Sequence, residues 1–208
     1  VYSPRLCPAT AIGLMLLSLR IESIITLNVK IAGCVFFVWV NKFSGPFLHI
    51  FNKSYPYRSS KSKLVEKLFQ NLSKKIKQKF KPKNILEIGC NDGMFASNFD
   101  KNKITCIEPC YDVALEARKK GLKVYINYFD DLLIKKLTKS HPKFDLIFSA
   151  NTITHISKYN SVFSNISKIL DDKGTVIIEE PSLLETMRKN SYDQFYNEHI
   201  YVFSAIAL

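Results

Sequence analysis

A chain of 208 residues has room for one full domain and part of a second, and at 47% hydrophobic and 23% charged residues its composition excludes a disordered chain. The formal net charge of +12 leaves three classes of partner to weigh: nucleic acid, a membrane surface or an anionic substrate. Cys7, Cys34, Cys90, Cys106 and Cys110 form no C-x-x-C pair, which supports neither a metal-binding spacing nor a disulfide framework.

Residues 1–45 form a poorly defined apolar segment. Its longest apolar runs, Ala11–Leu19 and Ile31–Val40, are separated by Arg20, Glu22 and Lys30. Neither reaches the roughly 18–20 residues that a membrane-spanning helix needs, so no membrane partner is expected. Arg5 ahead of a short apolar run is a weak signal-peptide pattern without a clean cleavage site. The chain begins with Val1 rather than Met, and the expectation is a fragment whose first 45 residues are foreign to the original fold.

Residues 46–83 hold a polar segment and then a helix. Leu64, Val65, Leu68, Phe69, Leu72, Ile76 and Phe80 recur at helical spacing with lysines opposite, and Lys81-Pro82-Lys83 ends the pattern. Much of the basic excess lies here, from Arg58 to Lys83, opposed only by Glu66. It reads as the solvated face of the helix, with a phosphate-facing role as the runner-up. Phe69 and Phe80 fall on the apolar face, so there is no stacking platform and nucleic acid is not expected.

From residue 84 to 181 strands and helices alternate. Strands are expected at Asn84–Cys90, Lys103–Glu108, Lys123–Asn127, Phe144–Ala150 and Thr175–Glu180, the last following an Asp172-Lys173-Gly174 turn. Helices are expected at Gly93–Phe99, Val113–Lys120, Asp130–Thr138 and Tyr159–Leu170. This alternation of near-continuous apolar strands with helices predicts an α/β, Rossmann-like, doubly wound, mostly parallel sheet. Ligands of such sheets bind beyond the carboxyl ends of the strands, near the switch in strand order. Cys90, Cys106 and Cys110, at strand ends, read as small buried fillers in a reducing cytoplasm.

The first of these strands runs into Glu87-Ile88-Gly89-Cys90-Asn91-Asp92-Gly93, where two glycines bracket a tight strand-to-helix turn. The position two after Gly89 is Asn91, which departs from the G-x-G-x-x-G dinucleotide fingerprint. The next strand ends at Glu108, where an acid can accept hydrogen bonds from ribose hydroxyls. Glu87-x-Gly89-x-x-x-Gly93 with a strand-terminal Glu108 resembles the class I S-adenosylmethionine-dependent methyltransferases. That resemblance implies that Glu87, Gly89, Asn91 and Gly93 surround the amino-acid end of the cofactor. It also puts Glu108 on the ribose, Phe129 near the adenine and Asn151 on the methionine side.

Three further segments narrow the resemblance: Asn52-Lys53-Ser54-Tyr55-Pro56-Tyr57-Arg58-Ser59-Ser60, Asn151-Thr152-Ile153-Thr154-His155-Ile156, and Glu179-Glu180-Pro181-Ser182-Leu183-Leu184 running on to Asp193-Gln194-Phe195-Tyr196-Asn197-Glu198-His199-Ile200-Tyr201-Val202-Phe203-Ser204. They are similar to boxes of the sugar C-methyltransferases that act on nucleotide-linked keto-deoxysugars, over residues 47–208. The family chemistry removes a proton beside a ketone, and the enolate then attacks the cofactor's methyl group. His199 is by resemblance the general base, and histidine suits that task near neutral pH. Tyr196, Glu198 and His155 would position the sugar and stabilise the enolate oxygen, and Tyr55 and Tyr57 would close over the substrate. The family's N-terminal zinc module has paired cysteines, whereas only Cys7 and Cys34 lie upstream here, so zinc is not supported. The fold is expected to be incomplete at the C-terminus. Residues 182–208 would begin the substrate and catalytic region, with at most a sixth strand at Ile200–Leu208 and an open apolar sheet edge. The alternatives are a small-molecule O- or N-methyltransferase, a basic nucleic-acid-binding module built on the lysine-rich helix, and an inactive fragment.

Overall fold

The computed structural model describes residues 17–19, 51, 55–191 and 198–204. A mixed sheet runs through it, built from β1 (Leu17–Leu19), β2 (Ile85–Ile88), β3 (Ile104–Ile107), β4 (Lys123–Tyr125), β5 (Phe144–Ala150) and β6 (Leu170–Glu179) in the order β1-β6-β5-β2-β3-β4. The five strands β2 to β6 are parallel to one another, and β1 is antiparallel to β6. The chain winds outward from β2 through β3 to β4, then returns to β5 on the other side of β2. The switch in strand order therefore falls between β2 and β5, as expected for a doubly wound sheet.

The helices cover both faces. On one face α1 (Lys63–Phe80) and α2 (Tyr111–Lys119) bury Phe69, Leu72, Ile76, Ala114 and Ala117 against Ile85, Cys106 and Phe148. Phe95 stacks on Phe148 with ring centroids 3.7 Å apart, and Phe69 packs edge-on against both. On the other face α3 (Asp131–Ser140) and α4 (Tyr159–Ile169) bury Leu133, Ile134, Leu137, Val162 and Ile166 against Leu86, Ile88, Ile147 and Ile178. Strands covered on both sides can be apolar at nearly every position, and the residues of β2 are all buried.

Helix starts follow local chemistry. Ser62 accepts a hydrogen bond from the Val65 N–H at the start of α1, and Asp130 accepts one from the Leu133 N–H at the start of α3. Lys81 ends α1 in the left-handed conformation. A short helix α5 (Leu183–Arg188) follows β6 and is capped by Ser182.

Three expectations are corrected. Gly93–Phe99 is a turn followed by a single 3-10 turn at Ala96–Asn98, not a helix. The Ser97 hydroxyl takes the Gly93 carbonyl and the Asn98 amide takes those of Met94 and Phe95, so side chains compete for the carbonyls a helix would use. The Asp172-Lys173-Gly174 turn lies inside β6, which begins at Leu170 and shifts register between its pairing with Phe144 and with Leu146. The outer edge of β6 is paired: Leu17–Leu19, from the segment expected to be foreign to the fold, lies against Val176–Ile178. Of the expected strand at Ile200–Leu208, the described residues form only an isolated parallel bridge from Phe203 to Ser182. Among the described residues, no helix is long and apolar enough to cross a membrane.

Candidate functional site

The turn after β2 is fixed by β3. The N–H groups of Gly89 and Cys90 both donate to the Ile107 carbonyl, at 2.9 and 3.0 Å. Gly89 and Gly93 have φ of +72° and +78°, where a side chain is strained. A Cβ at Gly89 would overlap the Thr152 side chain, and one at Gly93 would overlap Leu122. The loop is thus folded tightly against its neighbours at the carboxyl ends of the strands.

Acids surround this turn. Glu108 is buried, and its carboxylate accepts from the Asn91 N–H and the Cys110 N–H, each at 2.9 Å. Burial raises its pKa, opposed by those two bonds, by Cys110 and by the Arg58 guanidinium. Glu87 is held well above the usual carboxylate range, first by burial and then by the neighbouring Cys106 thiol. The Ala96 N–H opposes this, while Glu108 and Asp92 add to it. Asp92 is fully buried; its carboxylate accepts from the Ser60 N–H at 3.2 Å and faces Lys120 Nζ at 3.6 Å. Glu87 Oε2 and Asp92 Oδ1 are buried and have no hydrogen-bond partner among the described residues. Buried acceptors left open in this way suit a ligand that brings donors and positive charge. S-adenosylmethionine has both, in its ammonium, sulfonium and ribose hydroxyls, so the residues fit that cofactor.

A strap crosses the turn. The N–H of Ser59 donates to Asn91 Oδ1 at 2.9 Å, and Asn91 Nδ2 donates to the Tyr57 carbonyl at 3.3 Å. Arg58 anchors the strap, with Nε on Glu116 Oε1 at 2.7 Å and Nη1 on the Tyr55 and Tyr57 carbonyls. The Asn91 side chain is therefore committed to the strap, and its backbone to Glu108. Tyr57 itself is 48% exposed beside the turn. Phe129, expected near an adenine, is half-buried against the α3–α4 face of the core.

Across the switch point, β5 is followed by Asn151, which has φ of +49° and donates its N–H to the Glu179 carbonyl at 2.7 Å. A 3-10 turn at Ile153–His155 follows. His155 Nδ1 lies 2.6 Å from the Glu198 carbonyl, which can only accept, so Nδ1 donates to it. Burial lowers the His155 pKa, against the pull of the Glu198 and Asn151 carbonyls. The His155 ring lies 5.1 Å from His199 and 5.1 Å from Phe51. The Tyr55 hydroxyl donates to Glu198 Oε2 at 3.3 Å. Burial raises the Glu198 carboxyl pKa, and the Tyr55 bond partly offsets this. So Tyr55, His155, Glu198 and His199, from three separate segments, meet in one cluster; Tyr196 lies outside the described residues.

Sequence reasoning missed Asp92, Arg58 and Glu180. Asp92 and Arg58 stand inside motifs that were read, and their burial was the missing information. Glu180 sits at a strand end like Glu108, and that position was the available signal. Among the described residues, no cluster of three or more His, Cys, Asp or Glu side chains is arranged to hold a metal. Cys7 and Cys34 lie outside the described residues.

Comparison with known proteins agrees with this geometry. The family profile described as "Methyltransferase domain" matches residues 57–208. The C-methyltransferase NovU of Streptomyces niveus is 23% identical over 122 residues, which cover 58% of this chain and 29% of that protein. The malonyl-[acyl-carrier protein] O-methyltransferase 2 of Ilyobacter polytropus is 28% identical over 116 residues, covering 52% of this chain and 41% of that one. The chain thus spans less than half the length of either relative. A solved SAM-dependent methyltransferase of Thermotoga maritima, described as a possible histamine N-methyltransferase, superposes with a TM-score of 0.50 at 24% identity. It covers 69% of this chain and 68% of that one, and shows a shared fold. The chain belongs to the methyltransferase domain family, on the Rossmann-like class I fold of the S-adenosylmethionine-dependent enzymes.

Proposed function

We propose that this chain is the cofactor-binding core and part of the sugar-binding region of an S-adenosylmethionine-dependent C-methyltransferase acting beside the ketone of a nucleotide-linked keto-deoxysugar. The observation that carries the reading is the meeting of Tyr55, His155, Glu198 and His199 beside the cofactor-type turn. Glu87, Gly89, Asn91, Gly93 and Glu108 would hold the cofactor, with Phe129 and Asn151 at its flanks. When bound, the cofactor supplies an electrophilic methyl group.

The chain's own residues would do the rest. His199 takes the proton from the carbon next to the ketone. His155, held by its Nδ1 bond to the Glu198 carbonyl, would help to position the sugar and stabilise the enolate oxygen. Glu198 and Tyr55 share a hydrogen bond that orients both; Tyr196 would help to position the sugar, and Tyr55 or Tyr57 would close over it. An excess of positive charge on the chain suits a substrate bearing a diphosphate. Buried free thiols at Cys90, Cys106 and Cys110 suit a reducing, cytoplasmic setting. Identity to NovU supports C-methylation, whereas identity to an O-methyltransferase supports the second reading, a small-molecule O- or N-methyltransferase.

Calorimetric titration with S-adenosylhomocysteine tests the cofactor site. Binding by the wild type, weakened at least about tenfold in Glu108→Ala, is expected from the loss of charge-assisted bonds. No binding by a folded wild-type chain refutes the reading. Exchange of the α-proton of a nucleotide-linked keto-sugar in deuterated water, lost in His199→Ala, separates C-methylation from O- or N-methylation.

A further inference from the structure

We propose that Glu180 is a positioning residue for the sugar-side cluster: its buried carboxylate fixes the Ile153–His155 turn, and through that turn the Glu198–Tyr201 segment. The proposal rests on the reading that this cluster is the reacting side of the site.

Glu180 follows the last residue of β6 and is 2% exposed. Its Oε1 accepts from the Thr152 N–H at 2.9 Å and the Ile153 N–H at 2.7 Å, and the Thr154 N–H also favours the charged carboxylate. These are the free N–H groups at the start of the 3-10 turn, which a carboxylate caps well. Oε2 is buried and has no partner among the described residues.

A carboxylate buried at such cost, with half of its bonding capacity open, is a poor device for stability alone. Its bonds reach further. The Thr154 carbonyl accepts from the Ile200 N–H at 2.9 Å and the Tyr201 N–H at 3.2 Å, and the Thr154 hydroxyl donates to the Tyr201 carbonyl. One residue on, His155 Nδ1 meets the Glu198 carbonyl. The Tyr201 hydroxyl returns to the Ser157 carbonyl at 2.6 Å. The stretch that carries Glu198 and His199 therefore hangs on the turn, and the turn hangs on Glu180. Among the described residues no other acid supplies these caps; Glu179 contributes its backbone carbonyl to the Asn151 N–H.

The test uses the whole chain with Glu180→Ala, Glu180→Asp and Glu180→Gln. Aspartate keeps the charge but withdraws the carboxylate by one methylene; glutamine keeps an acceptor. Native-state amide exchange is expected to speed up about tenfold or more at Thr152, Ile153, Ile200 and Tyr201 in the alanine and aspartate variants. Glutamine should remain close to wild type at those amides. The His155 imidazole, followed by NMR, should titrate closer to its ordinary value in the aspartate variant. S-adenosylhomocysteine affinity should stay within about twofold, since Glu87 and Glu108 are untouched. If alanine does not fold, the aspartate variant carries the same expectation. Faster exchange confined to Thr152 and Ile153, or a lower stability with an unchanged His155 titration, would overturn the proposal. A folded wild type that fails to bind S-adenosylhomocysteine would refute the cofactor reading instead, and would leave the exchange result standing.

Discussion

Substituting Glu179 with glutamine should stabilise the fold at alkaline pH and do little at acid pH. The carboxyl group is 4% exposed, and burial alone raises its pKa from an ordinary 4.5 to about 7. A native pKa above the unfolded one means that the native state holds more protons between those values. Stability is therefore fullest below pH 4.5 and falls as pH rises toward 7. The difference of 2.5 between the two values corresponds to about 3 kcal/mol, at 1.36 kcal/mol for each tenfold change. Glutamine has nothing to ionise and removes this penalty. Urea denaturation followed by circular dichroism should show the variant more stable than wild type by up to about 3 kcal/mol at pH 8, with the gain below about 1 kcal/mol at pH 5. A variant less stable than wild type at pH 8, or a gain of equal size at both pH values, would refute the reasoning.

Two other substitutions act on the cofactor side. Gly89→Ala meets the Thr152 side chain and a positive φ together, so a loss of about 2–4 kcal/mol in stability and weaker S-adenosylhomocysteine binding are expected from denaturation and calorimetry. Arg58→Met removes the 2.7 Å pair with Glu116 and the grip on two strap carbonyls while keeping an apolar stem. About 1–2 kcal/mol of local stability should be lost, read as faster proteolysis around residues 55–60 with the core intact.

The sheet was legible because its signals are local and repeated: runs such as Ile85–Ile88 and Phe144–Ala150 are mostly apolar, and Asp130 announces the helix that follows. Gly93–Phe99 was misread because Ser97 and Asn98 turn their side chains onto the carbonyls, which periodicity does not register. The pairing of Leu17–Leu19 with β6 was invisible for a different reason. It joins residues about 160 apart, and its three positions say nothing of their partner. Glu108 was read as a ribose acceptor from its place at a strand end. The structure adds that its carboxylate is already bonded to two backbone N–H groups, so any ligand must share it. Glu180 has the same kind of position and stands in the segment Glu179–Leu184, but only the fold reveals the turn it caps.

The crowding of acids around the β2 turn has a thermodynamic consequence for ligand binding. Glu87, Asp92 and Glu108 lie within each other's field, and two cations oppose them: Lys120 on Asp92, and Arg58 toward Glu108. Burial, the Cys106 thiol, Glu108 and Asp92 hold the Glu87 carboxyl well above the usual range, opposed by the Ala96 N–H. A ligand that brings positive charge favours the ionised form and must lower that pKa. Binding then releases protons from Glu87, by the same linkage that ties pKa to stability. Calorimetry with S-adenosylmethionine in two buffers of different ionisation enthalpy should give different apparent enthalpies, and their difference counts the protons. S-adenosylhomocysteine, which lacks the sulfonium charge, should release fewer, and Glu87→Gln should release almost none. Enthalpies that do not depend on the buffer in the wild type would show that Glu87 stays protonated beside the cofactor. Its role would then be that of a neutral hydrogen-bond donor, not a counter-charge.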